Sequence, residues 1–274
     1  MGTSTLGRTW MRSLAAAAAP LAALAVIAGG PAAGATISPR AVTLGTTDST
    51  PPAPTGAPPQ PLFVDDADRH MLTPTYADAE SGVASLDVRY RSAGATSVAL
   101  SAWQYPSAWR SLGWDGGPVI VSTPRQGTTS CISIRARDAS GNVSAWSPTR
   151  CATQVWNDTL LVTDPHWTSG AGSVSRYNWG TYFRSSVHGA TIYGPTVRAR
   201  HVGVVVTTCP TCGSLDVYVG RTYVGRISTR SPKVHYHVAL ALRVPGSTAY
   251  GKVRVVVHSR GEQLIVTGLG ATIV

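Results

Sequence analysis

The chain of 274 residues has 23 lysines and arginines and 13 aspartates and glutamates, so its formal net charge at pH 7 is +10. Glycine and proline are abundant, with 28 and 19 residues, and there are only 3 methionines. This composition argues against a mainly helical protein, because it is poor in helix formers and rich in residues typical of strands and turns. Only Lys233 and Lys252 are lysines, and we assign no function to arginine richness alone.

Residues 1–35 are predicted to be a signal peptide. Arg8 and Arg12 precede an apolar run of 14 residues from Leu14 to Ile27, and Ala33-Gly-Ala35 has the form of a cleavage site. The run is shorter than the roughly 20 residues that a membrane-spanning helix needs. We therefore expect a secreted or cell-surface protein with no transmembrane segment in its mature part; an uncleaved membrane anchor is the alternative.

Residues 36–61 are predicted to be a proline-rich linker. Six of the eleven positions from Pro51 to Pro61 are proline, and glycine, threonine and alanine fill most of the others. Such a stretch has too little apolar surface to fold and favours the polyproline II conformation.

Residues 62–154 are predicted to form a first β-sandwich. Apolar residues alternate with polar or charged ones in two stretches, as in strands with one buried face: Leu86, Val88 and Tyr90, then Ile132, Ile134 and Ala136. The turn at residues 138–142 leads into a returning strand that begins at Val143. We expect Trp146, in that returning strand, to cover the core.

The four cysteines are expected to form disulfides, because an exported protein meets an oxidising environment. Three pairings are possible. Local spacing favours Cys131 with Cys151, placed ten residues before and ten residues after Gly141, together with Cys209 and Cys212. The Cys-Pro-Thr-Cys stretch also suggests a thioredoxin-like redox site, but that chemistry needs a helix after the second cysteine. A strand is predicted there instead, so a stapled loop is the preferred interpretation.

The run from Ile134 to Ser147, Ile-Arg-Ala-Arg-Asp-Ala-Ser-Gly-Asn-Val-Ser-Ala-Trp-Ser, resembles the last hairpin of bacterial fibronectin type III domains. The run from Ser81 to Arg91 resembles their third strand with its lead-in. The strand before that one usually carries a core tryptophan in the family, and Thr75-Tyr76 stands near that place here. The resemblance implies a fibronectin-type sandwich of about 90 residues.

Residues 155–274 are predicted to form a second all-β unit. Strand-like stretches recur along it, and the order Gly213-Ser-Leu-Asp-Val-Tyr-Val219, a short turn, a long strand and then Lys252-Val-Arg-Val-Val-Val257 resembles galactose-binding-like jelly rolls. The pairing of a fibronectin-type module with such a unit resembles a group of uncharacterised exported actinobacterial proteins. The resemblance implies a fold class of two consecutive β-sandwich domains, fibronectin type III-like and then jelly-roll-like.

Positive charge is concentrated in the second unit. Residues 65–150 contain eight basic and eight acidic residues, whereas residues 158–262 contain twelve basic and four acidic ones and six of the seven histidines. This asymmetry suggests an acidic partner for the second unit.

No catalytic, cofactor-binding or metal-binding set stands out. His235 and His237 are expected on one face of a strand, but no acidic third ligand lies beside them. The second unit has only Asp158, Asp164, Asp216 and Glu262 as carboxylates, and glycoside hydrolysis needs a facing pair. We therefore predict a protein that is not an enzyme and holds no cofactor or metal.

Aromatic clusters are the candidate ligand-binding residues. Stacking on flat aromatic faces suits sugar rings and protein contacts, and covering the core is the alternative for each cluster. The candidates are Trp103, Tyr105, Trp109 and Trp114 in the first unit, and Trp167, Tyr177, Trp179 and Tyr182 in the second.

The leading hypothesis is a secreted binding or adhesion module that contacts carbohydrate or an anionic cell-envelope polymer. The alternatives are a structural spacer that binds a protein partner and an accessory module of polysaccharide degradation. Charge alone would allow nucleic-acid binding in vitro, but export argues against that partner in vivo.

Overall fold

The computed structural model describes residues 48–56, 62–64, 69–122 and 125–274. The predicted signal peptide and most of the predicted linker lie outside these residues. Regular structure in the described part consists of strands, together with three 3-10 helices of three residues each. The all-β prediction is therefore confirmed.

The first sandwich contains nine strands and one 3-10 helix. A five-stranded sheet in the order β2-β9-β8-β5-β6 faces two strand pairs, β1–β4 and β3–β7. The bounds are β1 (Ala53–Gly56), β2 (Phe63–Val64), β3 (Arg69–Leu72), β4 (Thr75–Ala77), β5 (Val83–Ala93), η1 (Ser107–Trp109), β6 (Leu112–Gly113), β7 (Val119–Ser122), β8 (Thr129–Asp138) and β9 (Arg150–Gln154).

The core of the first sandwich lies between the long strands β5 and β8 and the two strand pairs. The buried residues are those that the alternation predicts: Leu86, Val88, Ile132, Ile134 and Ala136. Tyr76 packs against them, and its hydroxyl donates a hydrogen bond to the carbonyl oxygen of Ile134 at 3.0 Å. Tyr76 of β4 therefore contacts the core of the first sandwich.

The predicted linker extends too far towards the C-terminus. Ala53–Gly56 pairs antiparallel with Thr75–Ala77, and Pro52 is buried. The Asn142 side-chain amide donates to the carbonyl oxygen of Asp48 at 3.0 Å, which ties residue 48 to the turn after β8. Proline is tolerated in a strand at a sheet edge, where its missing N–H need not face a partner. Composition alone therefore misassigned residues 48–56.

The second sandwich contains eleven strands in two antiparallel sheets. One has the order β12-β13-β20-β15-β18 with β10 also on β20, and the other has the order β11-β14-β19-β16-β17. The bounds are β10 (Trp156–Asn157), η2 (Asp158–Leu160), β11 (Val162–Thr163), β12 (Thr168–Ala171), η3 (Asn178–Gly180), β13 (Thr181–Ser185), β14 (Thr191–Ala199), β15 (His201–Thr208), β16 (Ser214–Val219), β17 (Thr222–Ser228), β18 (His235–Arg243), β19 (Ala249–Val257) and β20 (Leu264–Thr272).

Aliphatic residues from both sheets fill the second core. Fully buried members include Val204 in one sheet and Val217 and Val255 in the other. Most connections carry the chain from one sheet to the other, so each sheet is assembled from strands distant in sequence. The chain leaves the five-stranded sheet of the first sandwich at Gln154, and it enters a sheet of the second sandwich at Trp156.

The two sandwiches meet through one aromatic ring. Phe63 of β2 packs with Val155 and Val205 in a small buried cluster. A Cβ added at Gly203 would lie 2.5 Å from the Phe63 ring, and one added at Gly270 would lie 2.4 Å from it. The ring is therefore in contact with the backbone of β15 and of β20, and only glycine leaves room for it. The Thr129 hydroxyl also donates to the Thr272 hydroxyl at 2.9 Å across the same junction.

We predict that Gly203→Ala destabilises the protein. The added methyl group would overlap the Phe63 ring, which packs with Val155 and Val205, and overpacking of this kind costs about 1–3 kcal/mol. Gly113→Ala is the matched control, because nothing lies within 4 Å of a Cβ at that strand position. Thermal unfolding of both variants measures the effect. Equal melting temperatures would contradict the account of the junction.

Asp158 generates a second prediction, which concerns pH. The residue is buried and its Oδ1 accepts a hydrogen bond from the Thr181 hydroxyl at 2.6 Å. Burial raises the pKa of the Asp158 carboxyl despite that hydrogen bond. Because folding favours the protonated form, stability is lost as pH rises from the unfolded pKa through the raised folded pKa. We expect Asp158→Asn to unfold at a higher temperature than wild type at pH 7, with the gap closing near pH 3. A gap that widens in acid would contradict this.

Candidate functional site

Arginines and aromatic rings alternate in a stack on the outward face of β5 and β8. The Arg89 guanidinium lies 4.4 Å from the Trp103 ring centroid and 4.2 Å from that of Trp146. Arg135 lies 4.7 Å from Trp146, and Tyr105 meets Trp146 edge-on with centroids 5.7 Å apart. We call these five residues the Arg–Trp stack. Guanidinium groups already cover much of the Trp103 and Trp146 faces, which favours a structural role for this cluster.

Trp146 does not cover the core as expected. It is half-buried on the opposite face of the sheet, in the Arg–Trp stack. The segment that contains it runs beside β8, with Ser144 and Ser147 donating backbone hydrogen bonds to Ala136 and Ile134. That pairing leaves Trp146 on the side that carries Arg135.

Asp87 anchors the Arg–Trp stack. It is 3% exposed, its Oδ2 accepts from Arg135 Nε at 2.8 Å, and its Oδ1 accepts from the Ser111 backbone N–H at 2.8 Å. Burial opposes ionisation, but the hydrogen bonds from Ser111, Tyr105 and Arg135 outweigh it and lower the pKa of Asp87. A carboxylate that stays ionised thus fixes the position of one guanidinium in the stack.

Three further candidates lie against a core. The Trp109 ring is 5.0 Å from that of Tyr90 and packs on the first core. Trp114 packs there too and donates its Nε1–H to the Gly117 carbonyl oxygen at 2.8 Å. Trp167 is 6% exposed in the second core. The geometry favours the structural alternative for all three.

A different surface collects the positive charge of the second sandwich. Buried and outward residues alternate along β19 and β16: Val253, Val255 and Val217 are fully buried, whereas Lys252, Arg254 and Tyr218 point outward. We define the basic sheet face as the outward residues of β14, β16, β17 and β19: Tyr193, Arg198, Tyr218, Tyr223, Arg226, Tyr250, Lys252 and Arg254.

Strand register aligns the centre of the basic sheet face. Tyr193 is opposite Arg254, Arg254 is opposite Tyr218, and Tyr218 is opposite Tyr223. The Arg254 guanidinium lies 4.6 Å from the Tyr218 centroid, and the two tyrosine centroids are 5.3 Å apart. A row of rings interrupted by one guanidinium therefore crosses four strands.

The basic sheet face is open to solvent. Tyr193, Tyr223 and Tyr250 are 39%, 45% and 59% exposed. An open groove adjoins it, lined by Leu160, Val162, Tyr193, Gly194, Pro195 and Lys252. Exposed rings beside cations can stack on a sugar while the cations meet carboxylate or phosphate groups.

One carboxylate, Asp216, also points outward from β16 among these residues and is fully engaged. Asp216 accepts from Arg226 Nε at 2.8 Å and from the Tyr223 hydroxyl at 3.2 Å, and His258 Nδ1 is 3.2 Å away. Although burial opposes its ionisation, Arg226 and His258 lower the pKa of Asp216. The carboxylate offsets one of the four cations of the face and leaves an excess of positive charge.

Sequence reasoning missed the four tyrosines of the basic sheet face. The sequence carried a signal for Tyr218 alone, because it alternates with the apolar residues of the strand-like stretch Gly213–Val219. Only the structure shows that the strands of this face are neighbours.

Tyr177, Trp179 and Tyr182 lie on the other sheet of the second sandwich. The Tyr177 and Tyr182 centroids are 4.3 Å apart, and Trp179 is 43% exposed. His235 and His237 do not continue a regular strand, because the register with β15 shifts there and His237 has a φ of 55°. The structure brings Tyr177 and Tyr182 together, on a different sandwich from Trp103, Tyr105, Trp109 and Trp114.

Both favoured disulfides are confirmed, Cys131–Cys151 and Cys209–Cys212. Cys131 and Cys151 are direct partners in the β8–β9 pairing. The strand β16 begins two residues after Cys212. Cys212 therefore does not stand at the start of a helix that could activate its thiol.

The sequence analysis did not single out a cluster of three acidic residues in the first sandwich. Oxygens of Asp48, Asp78 and Glu80 lie within 4.8 Å of one another. Asp78 Oδ1 accepts from the backbone N–H groups of Ser81 and Gly82, and the Ser81 hydroxyl donates to Asp48. These hydrogen bonds account for the arrangement as a capped turn.

Comparisons with known proteins leave the activity open. No protein-family model matches the chain, and no curated protein does. A glycoside hydrolase family 43 arabinoxylan arabinofuranohydrolase from Bacillus subtilis, in complex with cellotetraose, is similar over 73% of this chain and 56% of its own, with 14% identity and a TM-score of 0.31. An alpha-L-rhamnosidase from Dictyoglumus thermophilum is similar over 80% of this chain and 27% of its own, with 10% identity and a TM-score of 0.34.

The chain thus spans little more than half of the first of these structures and about a quarter of the second. Neither likeness assigns an activity. Within the described residues, no helix is both long and apolar enough to cross a membrane.

We predict that Trp146→Ala destabilises the first sandwich by about 1–2 kcal/mol, because Arg89 and Arg135 both lose a stacking partner. Arg89→Lys should lose part of the same stability, since an ammonium group keeps the charge without the planar stack. Chemical denaturation measures both variants. Wild-type stability in Trp146→Ala would mean that the stack is not structural and would restore Trp103 and Tyr105 as ligand contacts.

Proposed function

We propose that this chain is a secreted, non-catalytic binding or adhesion protein whose basic sheet face binds an acidic carbohydrate polymer of a cell envelope. The observation that carries the proposal is the row Tyr193, Arg254, Tyr218 and Tyr223, with Lys252 and Arg198 nearby on the same face. Rings and cations on one open sheet suit a polymer that offers both sugar rings and negative charge.

The rest of the chain supports the same role. In the proposal the first sandwich, which begins with β1 and ends with β9, is a fibronectin-type spacer, and the second, residues 155–274, is a jelly-roll-like domain. Two disulfides suit an oxidising, extracytoplasmic environment. The signal peptide is the proposed route of export.

A non-catalytic role is proposed because three carboxylates of the second sandwich are engaged in hydrogen bonds within the fold. Asp216 accepts a hydrogen bond from Arg226, and the buried Asp158 accepts one from the Thr181 hydroxyl. Asp164 accepts from the Thr191 backbone N–H at 2.6 Å. None of these three is left as an unengaged acid or base.

Two alternatives predict different behaviour. A spacer that binds a protein partner would use the apolar groove at Leu160 and Val162, which are 59% and 65% exposed. An accessory module of polysaccharide degradation would bind polymer as proposed here but would act beside a separate enzyme.

The test is affinity for acidic polysaccharides over a salt series. Polygalacturonate, alginate and teichoic acid are immobilised, and retention of the full secreted chain is measured from low salt to about 1 M NaCl, where the Debye length is about 3 Å. We expect retention at low salt that falls steeply as salt rises. Lys252→Gln with Arg254→Gln should lower affinity at least about tenfold, equivalent to about 1.4 kcal/mol.

Arg243→Gln is the matched control, because Arg243 is an exposed strand arginine on the other sheet. If Arg243→Gln weakens binding as much per removed charge as Lys252→Gln with Arg254→Gln does, the net charge of the protein is responsible for binding and not the basic sheet face. If no acidic polymer is retained at low salt, the proposal is wrong.

A further inference from the structure

We infer that the second sandwich carries another binding site, for an uncharged saccharide, formed by Tyr177, Tyr182, Tyr236 and Trp179. We call Tyr177, Tyr182 and Tyr236 the tyrosine cluster. It lies on the sheet opposite the basic sheet face, and the inference does not depend on the proposed function of that face.

Three separate segments build the tyrosine cluster. Tyr177 belongs to the loop between β12 and β13, Tyr182 to β13 and Tyr236 to β18. The Tyr177 centroid is 4.3 Å from that of Tyr182 and 6.0 Å from that of Tyr236, with the second pair edge-to-face. Phe183 packs against the core, so its neighbour Tyr182 points away from it.

Glycines hold two of the rings against the backbone. A Cβ added at Gly170 would lie 2.4 Å from the Tyr182 ring, and one at Gly172 would lie 2.6 Å from the Tyr177 ring. Each ring therefore rests on a strand or loop backbone with no side chain between. This fixes the orientation of the rings before any ligand arrives, which lowers the entropic cost of binding.

The three phenol hydroxyls belong to rings whose centroids lie within 6.0 Å of that of Tyr177. Burial, and then the nearness of Tyr182 and Tyr236, raise the pKa of Tyr177. Among the described residues, none of the three hydroxyls makes a hydrogen bond to another residue. Three neutral groups that can both donate and accept are thus available to sugar hydroxyls.

Trp179, two residues after Tyr177, is an exposed residue in a strained backbone conformation. It is the third residue of a turn closed by a hydrogen bond from the Gly180 N–H to the Tyr177 carbonyl oxygen at 2.8 Å, and its φ is 59°. Glycine or asparagine is the usual residue in that conformation. A tryptophan that is 43% exposed gains little from packing there, so its presence suggests a ligand contact.

The chemistry of the site favours an uncharged ligand. The only charged group in ring contact with the cluster, among the residues that the structure describes, is Arg176, 5.6 Å from the Tyr236 centroid. Aromatic faces suit the apolar face of a pyranose ring, and the hydroxyls suit its edge. With the basic sheet face on the opposite side, the domain would bridge a neutral and an acidic polymer.

The test measures retention of the full secreted chain on insoluble cellulose, xylan, β-1,3-glucan and starch in about 1 M NaCl, where ionic contacts are screened. We expect retention on at least one of them, and a loss of about tenfold or more in Trp179→Asn. Asparagine adopts the left-handed conformation more readily than tryptophan, so the variant should melt at the same or a higher temperature. A purely structural role predicts a lower melting temperature instead.

The control is the Lys252→Gln, Arg254→Gln variant, which should bind these neutral polymers as wild type does. Its retention separates failure of this site from failure of the basic sheet face. The inference is overturned if wild type is retained on none of the four polymers, if Trp179→Asn is retained equally, or if that variant loses stability.

Discussion

The structure depends on aromatic rings that lie directly against glycine backbone. Phe63 lies over Gly203 and Gly270 where the two sandwiches meet, and a Cβ at Gly127 would lie 2.1 Å from Trp156 near the same junction. A ring in contact with a strand backbone buries much apolar area without a deep cavity, and it excludes every residue that has a side chain at the contacted position. Phe63, one of only two phenylalanines in the chain, thus lies at the junction of the two sandwiches.

The same constraint operates on the outer surface of the second sandwich. Tyr182 and Tyr177 rest on Gly170 and Gly172, and these contacts hold the rings in place while leaving them half-buried. On the opposite sheet the aromatic rings are positioned by strand alternation and register instead of by glycine contacts. Alternation places valines inward and Lys252 and Arg254 outward, and the strand register sets tyrosines beside the cations. One domain thereby presents two aromatic surfaces, one charged and one not.

Much of the fold could be predicted, because period-two alternation determines which side of a strand is buried. Leu86 and Ile134 lie inward as expected, and the spacing around Gly141 indicated the Cys131–Cys151 bridge. Trp146 was misplaced because its side of the sheet depends on how the segment after the turn pairs with β8. The high proline content led to the prediction that β1 is part of a linker. The segment can nevertheless pair as a strand, because proline is tolerated at a sheet edge. The basic sheet face needed the order β14-β19-β16-β17, which local patterns do not contain.

The most direct test of the central claim is an NMR titration of the secreted chain with a short oligogalacturonate. Binding at the basic sheet face predicts that shift changes concentrate on the outward residues of β14, β19, β16 and β17, with Tyr218 and Arg254 among the largest. Shift changes confined to the Arg–Trp stack, or none at saturating ligand and low salt, would contradict the account.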